Sequence, residues 1–382
     1  MKILYYYWGE NSKEDCMECI RALGWNVTVW SEKMNNYTTD DRFISRTAEK
    51  LKEGYDCIFS FDYFPLLSAI AQEHSLPYIS WVYDSPHLTL YSHTLSNPCN
   101  HVYIFDYALA DRYRSEGFNT VDYMPLPCNI NRLEKICKPH LNTPGHDITF
   151  VGSLYNDENN LYDQITYLPE YMRGFLDAII ASQPNLYGLD LPSQLMTDDI
   201  CSEMAKYVQA DLGEGFRSAR NEILRNMIRK KVTVNERHDL IKALGDRFNV
   251  DLYAPVAPPR DIKVIFKGYA DYRAQMPIVF ASSKINLNIT LRSILSGIPL
   301  RVVDILGAGG FVLTNYQAEL SEYFEYGKDI IWFDSPEDMI DKADYYLSHE
   351  DERIAIAANG HETAKREFAY ETLLPRLFAG IG

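Results

Sequence analysis

The chain lacks any run approaching the roughly 18 apolar residues of a membrane-spanning helix. Its opening, MKILYYYWGENSKEDC, turns polar at once instead of entering the apolar core of a signal peptide. Both absences predict a cytoplasmic protein without a membrane span. Basic charge is also short, with 37 Lys and Arg against 53 Asp and Glu and a net charge of −16. Nucleic acid and anionic lipid surfaces are therefore excluded as partners of the molecule as a whole, while a local basic pocket for a diphosphate is not. The seven cysteines, Cys16, Cys19, Cys57, Cys99, Cys128, Cys137 and Cys201, are scattered and odd in number. Cys16 and Cys19 have no second pair at zinc spacing, so core packing is expected of them and no metal centre. There are no internal repeats, no low-complexity tracts and no Walker or GxGxxG signature. A DxD-type metal motif in a loop is missing too, because Asp198-Asp199 falls within a mostly helical stretch.

What is present is globular: 46% hydrophobic and 24% charged residues over 382 positions, beyond the roughly 250 to 300 at which one core stops growing. Two domains are expected. Strand-like runs at Lys2 to Tyr7, Asn26 to Trp30, Cys57 to Phe61, Tyr78 to Val82, Val102 to Phe105 and Val121 to Met124 alternate with helical segments. That alternation predicts an α/β, doubly wound parallel sheet with right-handed crossovers. The first Rossmann-like domain is placed at 1–128 and a linker at 129–146, where Pro139, Pro144 and Gly145 are loop chemistry. A second Rossmann-like domain spans 147–350, interrupted at about 155–244 by a helical insertion that could cap the site, shape it or form a homodimer surface. Its basic cluster Arg225, Arg229, Lys230 and Lys231 reads as a solvated helix face. The C-terminal helical run, 351–382, is expected to return to the first domain.

Two loops after first-domain strands are rich in reactive groups: Phe61-Asp62-Tyr63-Phe64-Pro65 and Tyr83-Asp84-Ser85-Pro86-His87. Open α/β sheets bind ligands at strand carboxyl ends, and a hydroxyl that attacks must give up its proton to a base such as Asp or His. Asp84 and His87 are the candidates, with Asp62 behind them. The competing reading is that Ser85-Pro86 opens a helix and Asp84 closes an Asx turn.

In the second domain, Ser293 to Asn315 reads as loop, helix, glycine turn and buried strand. Asp304 sits on that helix, where a carboxylate can accept two hydrogen bonds from a vicinal diol. Gly309 and Gly310 would let a diphosphate approach bare backbone. Gly152-Ser153, a small pair at a strand end, suits the same close approach. Asn288 and Arg292 flank the preceding loop, and an arginine there can hold a diphosphate bidentately. Arg301 either joins them or pairs with Asp304 at i, i+3. Lys267 and Tyr269, after another strand, could neutralise phosphate and pack near a base.

Leu300-Arg301, Asp304, Gly307 and Gly309-Gly310-Phe311, followed by Leu313-Thr314-Asn315, Phe324 and Gly327, resemble the donor-binding half of GT-B glycosyltransferases of group 1. The resemblance is to the bacterial branch similar to the CgeB spore-maturation proteins. It implies a GT-B architecture, two Rossmann-like domains facing a cleft, and transfer of a sugar from a nucleotide diphosphate sugar, UDP-linked, without metal or cofactor. It further implies that Asp304 binds ribose and that Gly152-Ser153 lies against the donor diphosphate. The acceptor would be a polysaccharide, a spore component or a surface protein. Two departures stand out: Ser296 occupies the place eight positions before Asp304 where retaining members carry an acid, and Asp replaces the usual Glu at 304. A catalytically silent nucleotide-binding scaffold and a nucleotide-sugar epimerase remain the rival readings.

Overall fold

The computed structural model describes residues 1–141, 143, 145–156 and 160–381. Pro144 of the expected linker, residues 157–159 of the insertion and Gly382 lie outside the described residues. Two six-stranded, all-parallel sheets are present, as the alternation of apolar runs and helices predicts.

The first unit comprises residues 1–129, 212–219 and 368–382. Its strands are β1 (Lys2–Tyr6), β2 (Asn26–Trp30), β3 (Cys57–Phe61), β4 (Tyr78–Val82), β5 (Asn100–Ile104) and β6 (Val121–Tyr123), in the order β2-β1-β3-β4-β5-β6. Strands β3 and β4 read CIFSF and YISWV and are buried throughout, because helices cover both faces of the sheet. The order reverses direction between β1 and β3, so the loops leaving those two strands diverge and open a crevice. Leu373, Leu374 and Leu377 of the helix Tyr370–Leu377 are fully buried against β1 and β3. The preceding helix, Glu350–Glu367, belongs to the second unit, so the expected 351–382 run is two pieces. Residues 212–219, expected within the insertion, pack with the first unit, where the Arg217 guanidinium lies 4.3 Å from the centre of the Phe118 ring.

The second unit comprises residues 130–211 and 220–367. Strands β7 (His146–Val151), β8 (Val250–Tyr253), β9 (Ile265–Gly268), β10 (Ser283–Asn288), β11 (Val312–Asn315) and β12 (Ile331–Phe333) take the order β12-β11-β10-β7-β8-β9. Here the reversal lies between β7 and β10. The insertion has its own core, in which Met172, Leu176 and Ile179 of the helix Glu170–Ser182 meet Leu224, Ile228 and Val232 of the helix Arg220–Gly245. The same long helix places Leu240, Ile241 and Leu244 in the core of the sheet. Serving two cores, it presents no single apolar stripe, which is why its pattern is hard to interpret.

Two expectations are corrected. Residues 130–137 are a helix, not linker loop, because Ile130, Leu133 and Cys137 fall on one buried face. Arg229 is not solvated; it is buried, with Nε 3.0 Å from Asp190 Oδ1 and a second ion pair to Glu222. A buried cation survives only when paired in this way.

Gly360 lies in the helix Glu350–Glu367, where a Cβ would run into the Asp329 carbonyl oxygen and approach Leu306 Cδ2 to 2.8 Å. Gly360→Ala should lower stability by about 1 to 3 kcal/mol through overpacking. Gly174, in the helix Glu170–Ser182, faces open space, and Gly174→Ala should raise it by about 0.5 to 1 kcal/mol. Denaturant titration of both variants checks the opposite signs.

Candidate functional site

At the carboxyl ends of β1 to β4, a cavity of about 610 Å³ is lined by Trp8, Tyr37, Asp62, Asp84, His87 and Thr89, among others. It stands at the reversal of strand order in the first unit, and it brings together the residues expected to act as base. Asp62 leaves β3 in the left-handed region, at φ 59°. That conformation turns its carboxylate under the next loop, where Oδ1 accepts the N–H groups of Tyr83 at 3.1 Å and Asp84 at 3.2 Å. A carboxylate buried this completely needs such donors. Across from it, His87 Nε2 lies 3.0 Å from the Tyr63 N–H and 2.6 Å from the Thr89 hydroxyl, and Nδ1 lies 3.8 Å from Asp62 Oδ1.

Burial pushes the Asp62 carboxyl up to about 6, against the pull of the Asp84 and Tyr83 N–H groups. Asp84 is likewise pushed up to about 6, by its weakly solvated surroundings first and the nearby Asp62 charge second, with His87 opposing. Its side chain is open to solvent, which screens part of that push. Burial lowers His87, keeping its imidazole neutral. Asp62, Asp84 and His87 also place one ligand atom each within 4.8 Å of one another, near enough to share a cation.

In the second unit, the reversal between β7 and β10 is spanned by a residue that the motifs do not single out. Arg237, on the helix Arg220–Gly245, donates from Nη1 to Ser153 O at 2.5 Å and from Nη2 to Ile289 O at 2.5 Å. Its guanidinium thus ties the Gly152-Ser153 turn to the loop after β10. Among the described residues no carboxylate pairs with it, and burial depresses its ionisation, as does the neighbouring Arg301 charge. Arg301 lies 3.7 Å from Asp304 Oδ2, the expected i, i+3 pair, and Asp304 Oδ1 accepts the Tyr272 hydroxyl at 3.2 Å. Arg237 thus holds the Gly152-Ser153 turn directly, and the Arg301–Asp304 pair lies within its field. The readable trace of Arg237 is a charge on the otherwise apolar face shared with Leu240, Ile241 and Leu244.

Other expected donor residues have different duties. The Asn288 amide donates to Thr290 Oγ1 at 3.0 Å and Thr314 Oγ1 at 2.9 Å, bracing the ends of β10 and β11. Arg292 is held bidentately by Glu236 at 2.8 and 2.7 Å and also donates to Leu186 O, so its fork is already occupied. Lys267 pairs with Asp251 at 3.3 Å on β9, the edge strand, and Tyr269 is exposed beside it; β8 separates both from β7. Gly309 and Gly310 precede β11 and therefore lie at the amino edge of the parallel sheet, opposite Gly152-Ser153. Their small size serves packing: a Cβ on Gly310 would come within 2.7 Å of Phe280 O, and one on Gly309 within 3.1 Å of Leu141.

Ser296, where an acid is missing from the pattern, donates its hydroxyl to Glu319 Oε1 at 2.7 Å, and the Glu319 N–H returns a bond to Ser296 O at 3.2 Å. Glu319 is buried, at the carboxyl edge after β11. A carboxylate thus reaches this loop from another part of the chain, and no local spacing signals it.

Residues 229–379 match the glycosyl transferase-like family. No curated protein shows significant sequence similarity to the chain. Among solved structures, a glycosyltransferase from Rickettsia africae is 12% identical, covering 99% of each chain at a TM-score of 0.55. A sucrose-phosphate synthase from Thermosynechococcus elongatus is 10% identical, covering 99% of this chain and 97% of that one at 0.54. Alr3699/HepE of Anabaena, with UDP and glucose, is 12% identical, covering 99% and 98% at 0.54. At these identities the structural likeness is one of fold, the GT-B fold. The family match over 229–379 spans less than half of the chain.

Asp62→Asn tests the electrostatics of the first site. The folded-state carboxyl titrates near 6 against an ordinary 3.8, so wild type loses stability relative to the Asn variant as pH rises from about 4 to about 6 and the gap is level above. The variant should be more stable at pH 7 by about 1 to 3 kcal/mol, measured by denaturant unfolding across that range. Asn also tolerates the left-handed backbone.

Proposed function

We propose that the chain transfers a sugar from a UDP-sugar to an acceptor hydroxyl, with the donor held by the second unit and the acceptor by the first. The observation that carries this reading is the buried Arg237 guanidinium at the β7/β10 reversal, donating to Ser153 O and Ile289 O and paired with no carboxylate among the described residues, with the Arg301–Asp304 ion pair in its field. A desolvated guanidinium with a second cation nearby favours an anion beside it, and a diphosphate supplies it. In this reading the Gly152-Ser153 turn admits the diphosphate and Asp304 takes the ribose hydroxyls. The UDP complex of the Anabaena neighbour supports a uridine nucleotide as donor.

In the reaction, the bond from the sugar anomeric carbon to the diphosphate oxygen breaks and UDP leaves with the electron pair. Arg237 and Arg301 stabilise the charge that develops on it, so the leaving group is served without a cofactor. A new bond forms from the anomeric carbon to the acceptor oxygen, whose proton passes to Asp84. Neutral His87 and buried Asp62 set the field around that carboxylate. The resemblance to the CgeB-like branch points to a surface polysaccharide, a spore component or a surface protein as acceptor.

Calorimetry with UDP, GDP and dTDP tests the donor half. UDP should bind best, and Asp304→Ala and Arg237→Gln should each weaken it by about 1.5 to 3 kcal/mol, the worth of a charged hydrogen bond. Equal binding by both variants would remove the donor-site assignment. For the acceptor half, a base must be deprotonated to act, so kcat/KM should fall as pH drops through about 6. Asp84→Asn should lower turnover by about 10² to 10⁴ and abolish that pH dependence.

A further inference from the structure

We infer that the first unit's cavity takes an uncharged saccharide as acceptor, its ring stacked on Trp8 and Tyr37. This rests on the reading of that cavity as the acceptor site and names the class of acceptor.

Both aromatic side chains line the cavity and keep much of their surface in solvent, 39% for Trp8 and 49% for Tyr37. Each packs against Phe64, with ring centres at 6.4 and 5.9 Å, so the exposed faces are braced from behind. Trp8 is oriented further: its Nε1–H donates to Phe61 O at 3.0 Å and its backbone N–H to Glu10 at 3.3 Å. With its polar atom satisfied inward, what Trp8 offers the cavity is an apolar face in a fixed orientation. Gly9, at φ 118°, makes the turn that presents it.

A pyranose ring matches such a wall, since it has an apolar C–H face for an aromatic ring and a rim of hydroxyls for polar partners. The polar partners lie on the same cavity: Asp62, Asp84, His87 and Thr89. A serine or threonine hydroxyl on a peptide would gain little from two aromatic faces. Charge narrows the class further. The lining carries Asp62 and Asp84 against Lys33, Glu32 being paired with Arg42 at 2.9 Å and Arg46 at 3.0 Å, and His87 is held neutral by burial. An acidic cavity disfavours phosphorylated sugars and lipid-linked diphosphates, leaving a neutral sugar. The volume of about 610 Å³ lies within the range of small-molecule sites.

The test is saturation-transfer NMR on the full chain with glucose, galactose, mannose and N-acetylglucosamine and the 6-phosphate of each, with UDP binding measured in parallel. At least one neutral sugar should bind, and its 6-phosphate about tenfold more weakly or not at all. Trp8→Ala and Tyr37→Ala should each weaken that sugar by about fivefold or more, with Trp8→Phe retaining most of it and UDP affinity unchanged in all three. If no neutral sugar binds, if a phosphorylated sugar binds better, or if both alanine variants bind as wild type does, the inference is wrong. Because sugar binding is read directly, these outcomes stand whether or not UDP binds; loss of UDP binding in wild type counts against the donor assignment alone.

Discussion

A guanidinium buried among carbonyl oxygens is an expensive arrangement, and Arg237 is built that way. Its two forks clasp Ser153 O and Ile289 O, so the loops leaving β7 and β10 are held at one spacing. Those loops flank the point where strand order reverses, and everything assigned to donor binding is arranged around them. Arg301 adds a second cation from the helix Leu300–Gly307, Asp304 answers it, and Tyr272 steadies Asp304. Neutralising Arg237 would remove both the clasp and half of the positive field.

The first unit solves a similar problem with opposite charge. Its strand order also reverses between neighbouring strands, β1 and β3, and the crevice there holds carboxylates instead of guanidiniums. Asp62 accepts two backbone N–H groups and meets the Asp84 side chain, whose carboxyl stands at the solvent side and is the one proposed to take a proton. In the proposed reaction one sheet edge would receive a leaving anion and the other a hydroxyl that must lose a proton. The same topological rule places both.

The strand alternation was legible because apolar runs of four to six residues bounded by turn residues have few other solutions. That Asp84 and His87 share one cavity with Asp62 was legible as well, since the three cluster just after predicted strands. The glycines at 309 and 310 were misjudged for a physical reason: a missing Cβ can admit a ligand or a neighbouring backbone, and only the direction of β11 decides that Phe280 is the neighbour. Arg292 and Lys267 were misjudged because their partners, Glu236 and Asp251, come from distant segments. Arg237 lies 84 residues from the turn it clasps, beyond the insertion, and Glu319 reaches Ser296 from beyond β11. Contacts at that separation leave no local period to read.

The measurement that bears most directly on the central claim is backbone hydrogen exchange with and without saturating UDP. If the diphosphate sits at the carboxyl edge beside Arg237, amides at 152–153 and 289–292 should gain protection while those at 307–311 stay unchanged. Protection at 307–311 with none at 152–153 would put the donor at the glycine turn on the opposite edge and contradict the account.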